Sequence, residues 1–126
     1  MEERDVVIIG ARPAGLSAAI FTQSDGWSTL VLEKDWVGGQ AAIAYTVSNY
    51  PGFLPEDGTI LMENMKKQVT SAPPRGVGAE LRQERVISVN LEEKIVTTEV
   101  NQYKAQAIIL ATGSTMQRLG QMRINF

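Results

Sequence analysis

The sequence predicts a three-layer α/β fold: a parallel sheet, helices packed against it and a small antiparallel β-meander. Three observations predict it. Val6, Val7, Ile8 and Ile9 run straight into Gly10, as a strand covered on both faces does. A helical stretch with Leu16, Ala19 and Ile20 on one face follows, and then a second β-rich run, TLVLE, at 29–33. Far along the chain QAIILATG, at 106–113, again carries an apolar run into glycine.

The elements follow in order. A strand is expected at 4–9, and Pro13 suits the first helical position, where its missing N–H costs nothing. That helix should end near Asp25-Gly26, before the strand at 29–33. Strand, glycine turn, helix and strand make a βαβ unit with parallel strands. VGGQ at 37–40 and NYPGF at 49–53 are turn-formers, with AAIAY ambiguous between them. Asp57, Gly58 and Thr59 look like a helix start, and Leu61, Met65 and Val69 mark one face of the helix that follows. SAPPRGVG, at 71–78, reads as a loop. AELR (79–82), VISVN (86–90) and KIVTT (94–98) are short strand candidates whose spacing suggests a meander, spanning 86–104 in the predicted fold. A buried strand at 106–111 completes the parallel set; the tail GQMRINF has no readable pattern.

Composition bounds the function. A chain of 126 residues, 44% hydrophobic and 21% charged, is expected to be one globular domain over 1–126 and not a disordered segment. A net charge of −2 argues against nucleic acid or an anionic membrane as partner. No signal or membrane-span pattern is visible, which predicts a cytoplasmic protein. There is no Cys, so these residues supply no disulfide, thiolate nucleophile or Cys-ligated metal, and no His, the commonest general base and metal ligand. No metal site is expected, and any catalysis would lean on a cofactor.

The turn after the first strand carries the chemistry. In G-x-G-x-x-G, the first glycine makes the tight turn, the second lets backbone approach a pyrophosphate and the third lets helix and sheet pack closely. Phosphates then sit on free N–H groups at the positive end of the helix dipole. Gly10 and Gly15 are in place, but Arg12 holds the middle position. Its guanidinium could swing aside and pair with the pyrophosphate, or its bulk could weaken the cradle; the residues leave both open. Glu33, closing the second strand, stands where an acid accepts hydrogen bonds from a ribose diol, unless it is only a solvated strand end.

DVVIIGARPAGLSAAI, TLVLEKDWVGGQ, SNYPGF, LMENMKKQ, GAEL and YKAQAIILATGS come in the same order as in thioredoxin reductases and similar flavoproteins. The chain resembles the N-terminal FAD-binding segment of that family over roughly residues 4 to 120. The resemblance implies a Rossmann-like FAD/NAD(P)-binding fold, incomplete relative to the family, with FAD as cofactor. It puts Gly10, Arg12, Pro13, Ala14 and Gly15 at the pyrophosphate turn and Glu33 and Lys34 at the adenosine ribose. Gly39 and Gln40 would lie along the flavin and ribityl chain, with Asn49 close to the flavin. Val86 would hold the adenine through its backbone, and Ala111, Thr112 and Gly113 would form the turn passing near the cofactor.

The departures are equally informative. The family's NAD(P)H-binding domain, its Cys-x-x-Cys pair and its C-terminal FAD-covering segment have no counterpart in these residues, and SAPPRGVG breaks a helix-to-strand connection. The expectation is therefore an FAD-binding portion of an oxidoreductase, unable to reduce disulfides on its own, with no catalytic side chain of its own. A second copy or a partner polypeptide would supply the missing parts. A non-catalytic FAD or nucleotide module, or an inactive remnant, remains the alternative.

Overall fold

The computed structural model describes residues 1–35, 46–72 and 77–114. Strand β1 (Glu2–Ile9) lies between β2 (Thr29–Glu33) and β8 (Gln102–Leu110), parallel to both. This central place explains the unbroken apolar run. Val6 and Ile8 join the core beneath the helices, while Val7 and Ile9 join a second core on the opposite face.

Helix α1 (Pro13–Ser24) starts at Pro13, as the sequence predicts, and buries Leu16 and Ala19 against β1. It ends where Gly26 takes φ +86° and donates its N–H to the Gln23 carbonyl at 3.1 Å. Helix α2 (Gly58–Thr70) is capped by Asp57, whose carboxylate accepts the Thr59 N–H at 2.8 Å. That bond holds the exposed Asp57 carboxyl below its ordinary pKa. Leu61, Met65 and Val69, spaced four apart, are all buried with Met62 against α1.

Strand β5 (Glu80–Gln83) pairs parallel with β2. The sequence reading set AELR beside the meander, and the structure corrects it. Emerging from α2, this segment continues the parallel series, and Leu81 packs on the helix-side core. The meander itself is present as β6 (Val86–Asn90), β7 (Ile95–Thr98) and the start of β8, antiparallel throughout. Its last strand is the same strand predicted separately at 106–111: β8 pairs with β7 through residues 102–104 and continues beside β1 to Leu110. The continuation is also less buried than expected, since Gln106, Ala107 and Leu110 are exposed. A two-residue pairing of β3 (Thr46–Val47) with β4 (Glu56–Asp57) was not predicted. The ends of the 71–78 loop are irregular as expected; 73–76 lie outside the described residues.

Sheet order is β5-β2-β1-β8-β7-β6. Starting from β1, the chain adds β2 and β5 on one side and β8 on the other, so the order reverses between β1 and β8. Val86 and Val96 of the meander pack with Val7, Ile9, Leu30 and Leu32, so the curled sheet covers its own second face. Among the described residues, no helix is long and apolar enough to cross a membrane.

Candidate functional site

In open α/β sheets the crevice outside the carboxyl ends of the strands, where strand order reverses, is where ligands bind. Here that point carries two glycine turns. The β1 turn begins as Gly10 donates to the Leu32 carbonyl at 2.8 Å, and the β8 turn as Ala111 donates to the Ile9 carbonyl at 2.8 Å. Gly10 has φ +110°, and a Cβ there would lie 2.0 Å from the Ala111 oxygen. A Cβ on Gly15 would lie 1.9 Å from the Gly10 oxygen. Backbone therefore fills both places, and no other residue fits either without moving main chain.

Arg12 is the N-cap of α1, with φ −87° and ψ 179°, an extended conformation open to any residue. Its side chain crosses from the β1 turn to the β8 turn, where Nη1 donates to the Ser114 carbonyl at 2.7 Å. On the way it passes over Gly113, whose φ is +69° and whose missing Cβ would come within 2.6 Å of Arg12 Cδ. The start of α1 has no side-chain cap and no acid in its first turn. By helix geometry the Ala14 and Gly15 amides lack an intrahelical acceptor, so the positive end of the dipole faces the crevice.

Glu33 is buried and turned back toward the glycine turn. One carboxylate oxygen accepts the Ala11 N–H at 2.7 Å and the other the Asp35 N–H at 3.1 Å. A solvated strand end, the alternative open in the sequence, does not describe it. Gly10, Glu33, Lys34, Val86 and Thr112 line one small cleft together with Glu84. The β6–β7 ladder slips between Val86 and Ser88 at its rim, a bulge of the kind that re-aims strand ends. Asn49 is exposed after β3 and is not among the residues lining this cleft, while Gly39 and Gln40 lie outside the described residues.

Sequence reasoning missed three participants. Ala11 and Ser114 act through backbone atoms, which leave no residue-type signal. Glu84 sits two residues before Val86 in a stretch without a motif. Burial alone would raise its carboxyl pKa, but hydrogen bonds from Thr98, Tyr103 and Asn101, helped by the charge of Arg82, hold it below the ordinary value. Burial foremost pushes the Tyr103 hydroxyl above its ordinary value.

Strand order, paired glycine turns, an uncapped helix start and a buried acid at the end of β2 define a mostly parallel α/β fold with an open helix N-terminus at its strand-order reversal. The sequence model of the pyridine nucleotide-disulphide oxidoreductases matches residues 4–123, and the chain belongs to that family. It is 41% identical over 121 residues to a 34.2 kDa protein of the rubredoxin operon of Clostridium pasteurianum, a match covering 94% of this chain and 38% of the relative. It is 38% identical over 119 residues to a thioredoxin reductase of Peptoclostridium acidaminophilum, covering 92% of this chain and 36% of that enzyme. A solved thioredoxin reductase from Gloeobacter violaceus superposes with a TM-score of 0.82 at 31% identity, over 97% of this chain and 40% of that one. The chain thus spans about two fifths of the length of such relatives or less, and it is thioredoxin reductase-like over that span.

Proposed function

We propose that this chain holds the ADP half of FAD within a cytoplasmic thioredoxin reductase-like oxidoreductase, positioning the flavin for electrons from NAD(P)H. The observation that carries the reading is the Gly10 turn, locked against Ala111 and Gly15 at the point where strand order reverses. The residues present fit the group. The α1 start, with the Ala14 and Gly15 amides behind Pro13, suits a pyrophosphate, and the Glu33 carboxylate suits ribose hydroxyls. Val86, Thr112 and Lys34 line the small cleft beside which the adenosine would lie, with Ala111 and Gly113 flanking Thr112 in the chain. Gly39, Gln40 and Asn49 are proposed on the flavin side from the resemblance. When bound, the isoalloxazine would take hydride from NAD(P)H and pass electrons onward; the protein supplies position and electrostatics. With no cysteine among these 126 residues, a redox disulfide comes from elsewhere, on the same polypeptide, a second copy or a partner.

Asn49 apart, the described residues assigned here would all meet the ADP moiety, which also suits a module that holds an adenine dinucleotide without turnover. One titration tests the common part. Quenching of flavin fluorescence should show FAD binding that ADP competes away and riboflavin does not, weakened about tenfold or more in Glu33→Gln. A folded protein that binds riboflavin as well as FAD, or neither, would contradict the reading.

A further inference from the structure

Arg12 is the feature that the dinucleotide pattern does not absorb. Its position at the mouth of the cradle is built, not incidental: Gly113 leaves room for its stem, and the Ser114 carbonyl holds Nη1 at 2.7 Å. Among the described residues no carboxylate forms an ion pair with it. A guanidinium offers five donors, and among the described residues it makes only the Nη1 bond to Ser114. It also stands at the positive end of α1, which has no acid in its first turn. Two positive features side by side repel one another unless an anion joins them.

We propose that Arg12 is the residue that selects a diphosphate-bearing ligand at this site, a conclusion that rests on the proposed dinucleotide-binding function. The backbone at position 12 is extended and needs no glycine, so a long side chain is accommodated by being led across to the β8 turn. The guanidinium then adds its charge to the uncapped amides at the start of α1. A charge-assisted bond to a phosphate oxygen is about twice as strong as a neutral one, so a diphosphate competes well with the Ser114 carbonyl for the fork. The bond to Ser114 keeps the side chain out of the cleft until the anion arrives. Adenosine, with no phosphate, gains nothing from it.

The test measures the affinity of the purified protein for ADP, FAD and adenosine by calorimetry, at low and high sodium chloride, for wild type, Arg12→Lys and Arg12→Gly. Arg12→Gly should bind ADP and FAD about tenfold more weakly at low salt while binding adenosine unchanged. Its affinity for ADP should also depend less steeply on salt, because exposed charge pairs are screened. Arg12→Lys should keep most of the salt dependence and recover only part of the affinity, lacking the planar fork. Equal or tighter ADP binding by Arg12→Gly, with the same salt dependence, would overturn the Arg12 role and leave the dinucleotide reading standing. A loss shared equally by adenosine would overturn it too, showing a tether with only structural effect. Failure of every variant to bind ADP or FAD would overturn both.

Discussion

Two polar clusters border the meander-covered face of the sheet, and their hydrogen bonds end on different things. Around Glu84 side chain meets side chain. The carboxylate accepts from the Tyr103 hydroxyl at 2.8 Å, Thr98 Oγ1 at 2.8 Å and Asn101 Nδ2 at 3.0 Å. Arg82 reaches Glu80, Glu2 and the Tyr103 oxygen, and its guanidinium lies 5.6 Å from the Tyr103 ring centre. Around Gly10 side chain meets backbone: Glu33 takes two amides, Arg12 one carbonyl, and the α1 start keeps its own amides uncapped. The first cluster satisfies itself and fastens the meander to β1 and β5. The second leaves donors over, and leftover donors at a strand-order reversal are what a phosphate needs.

The sharpest way to break the contrast is Gly10→Ala. It combines a positive φ with a Cβ 2.0 Å from the Ala111 oxygen. We expect a loss of about 3 kcal/mol or more in denaturant unfolding and no flavin binding by whatever remains folded. Wild-type stability in that variant would mean the two turns are not locked as described.

Tyr103→Phe addresses the other cluster. It removes a buried hydroxyl that donates to Glu84 and accepts from Arg82, at a cost of about 1–2 kcal/mol, while Thr98 and Asn101 still hold Glu84 at the cleft wall and keep FAD affinity unchanged. A fall in FAD affinity would mean that the Tyr103 bond, and not those from Thr98 and Asn101, sets Glu84 at the cleft.

The pH dependence is a gentler probe. Glu80 and Glu84 both titrate below their ordinary value of 4.5, Glu80 chiefly through the bond from Arg82 and Glu84 through its hydroxyl and amide partners against the pull of burial. The unfolded chain therefore holds more protons than the folded one just below that pH. Their stabilisation is present above the ordinary carboxylate value and is lost as pH falls through the lowered folded values. Denaturant midpoints should drop across that acid window, and Glu84→Gln should flatten the drop; an unchanged profile in the variant would sink this assignment.

Least of all should follow from Arg85→Ala. Its pair with Glu99 joins side chains 54% and 58% exposed, and about 0.5 kcal/mol or less is expected. A larger loss would extend the self-satisfied cluster beyond Glu84.

Much of the fold is legible in the sequence where one local cause decides. Four apolar residues before Gly10 require two covered faces, Pro13 and Asp57 mark helix starts, and the Leu61–Met65–Val69 spacing marks the packed face. What escapes depends on partners distant in the chain. AELR is too short for its periodicity to separate a parallel edge from a meander strand, and only its pairing with β2 decides. That β8 serves both sheet halves is a matter of register, not composition. At the site, Gly10, Gly15 and Glu33 announce themselves by spacing. The course of Arg12 does not, because it depends on the bare Gly113 and a carbonyl 102 residues away.

The central claim is that the Gly10 cradle holds FAD, and the most direct measurement is the visible absorption spectrum of the purified protein before and after adding excess FAD and desalting. Circular dichroism on the same samples reports the fold. We predict that flavin bands persist after desalting in the wild type and are absent from Gly10→Ala. A folded wild-type protein that emerges colourless, or a glycine variant that keeps the flavin equally well, would contradict the claim.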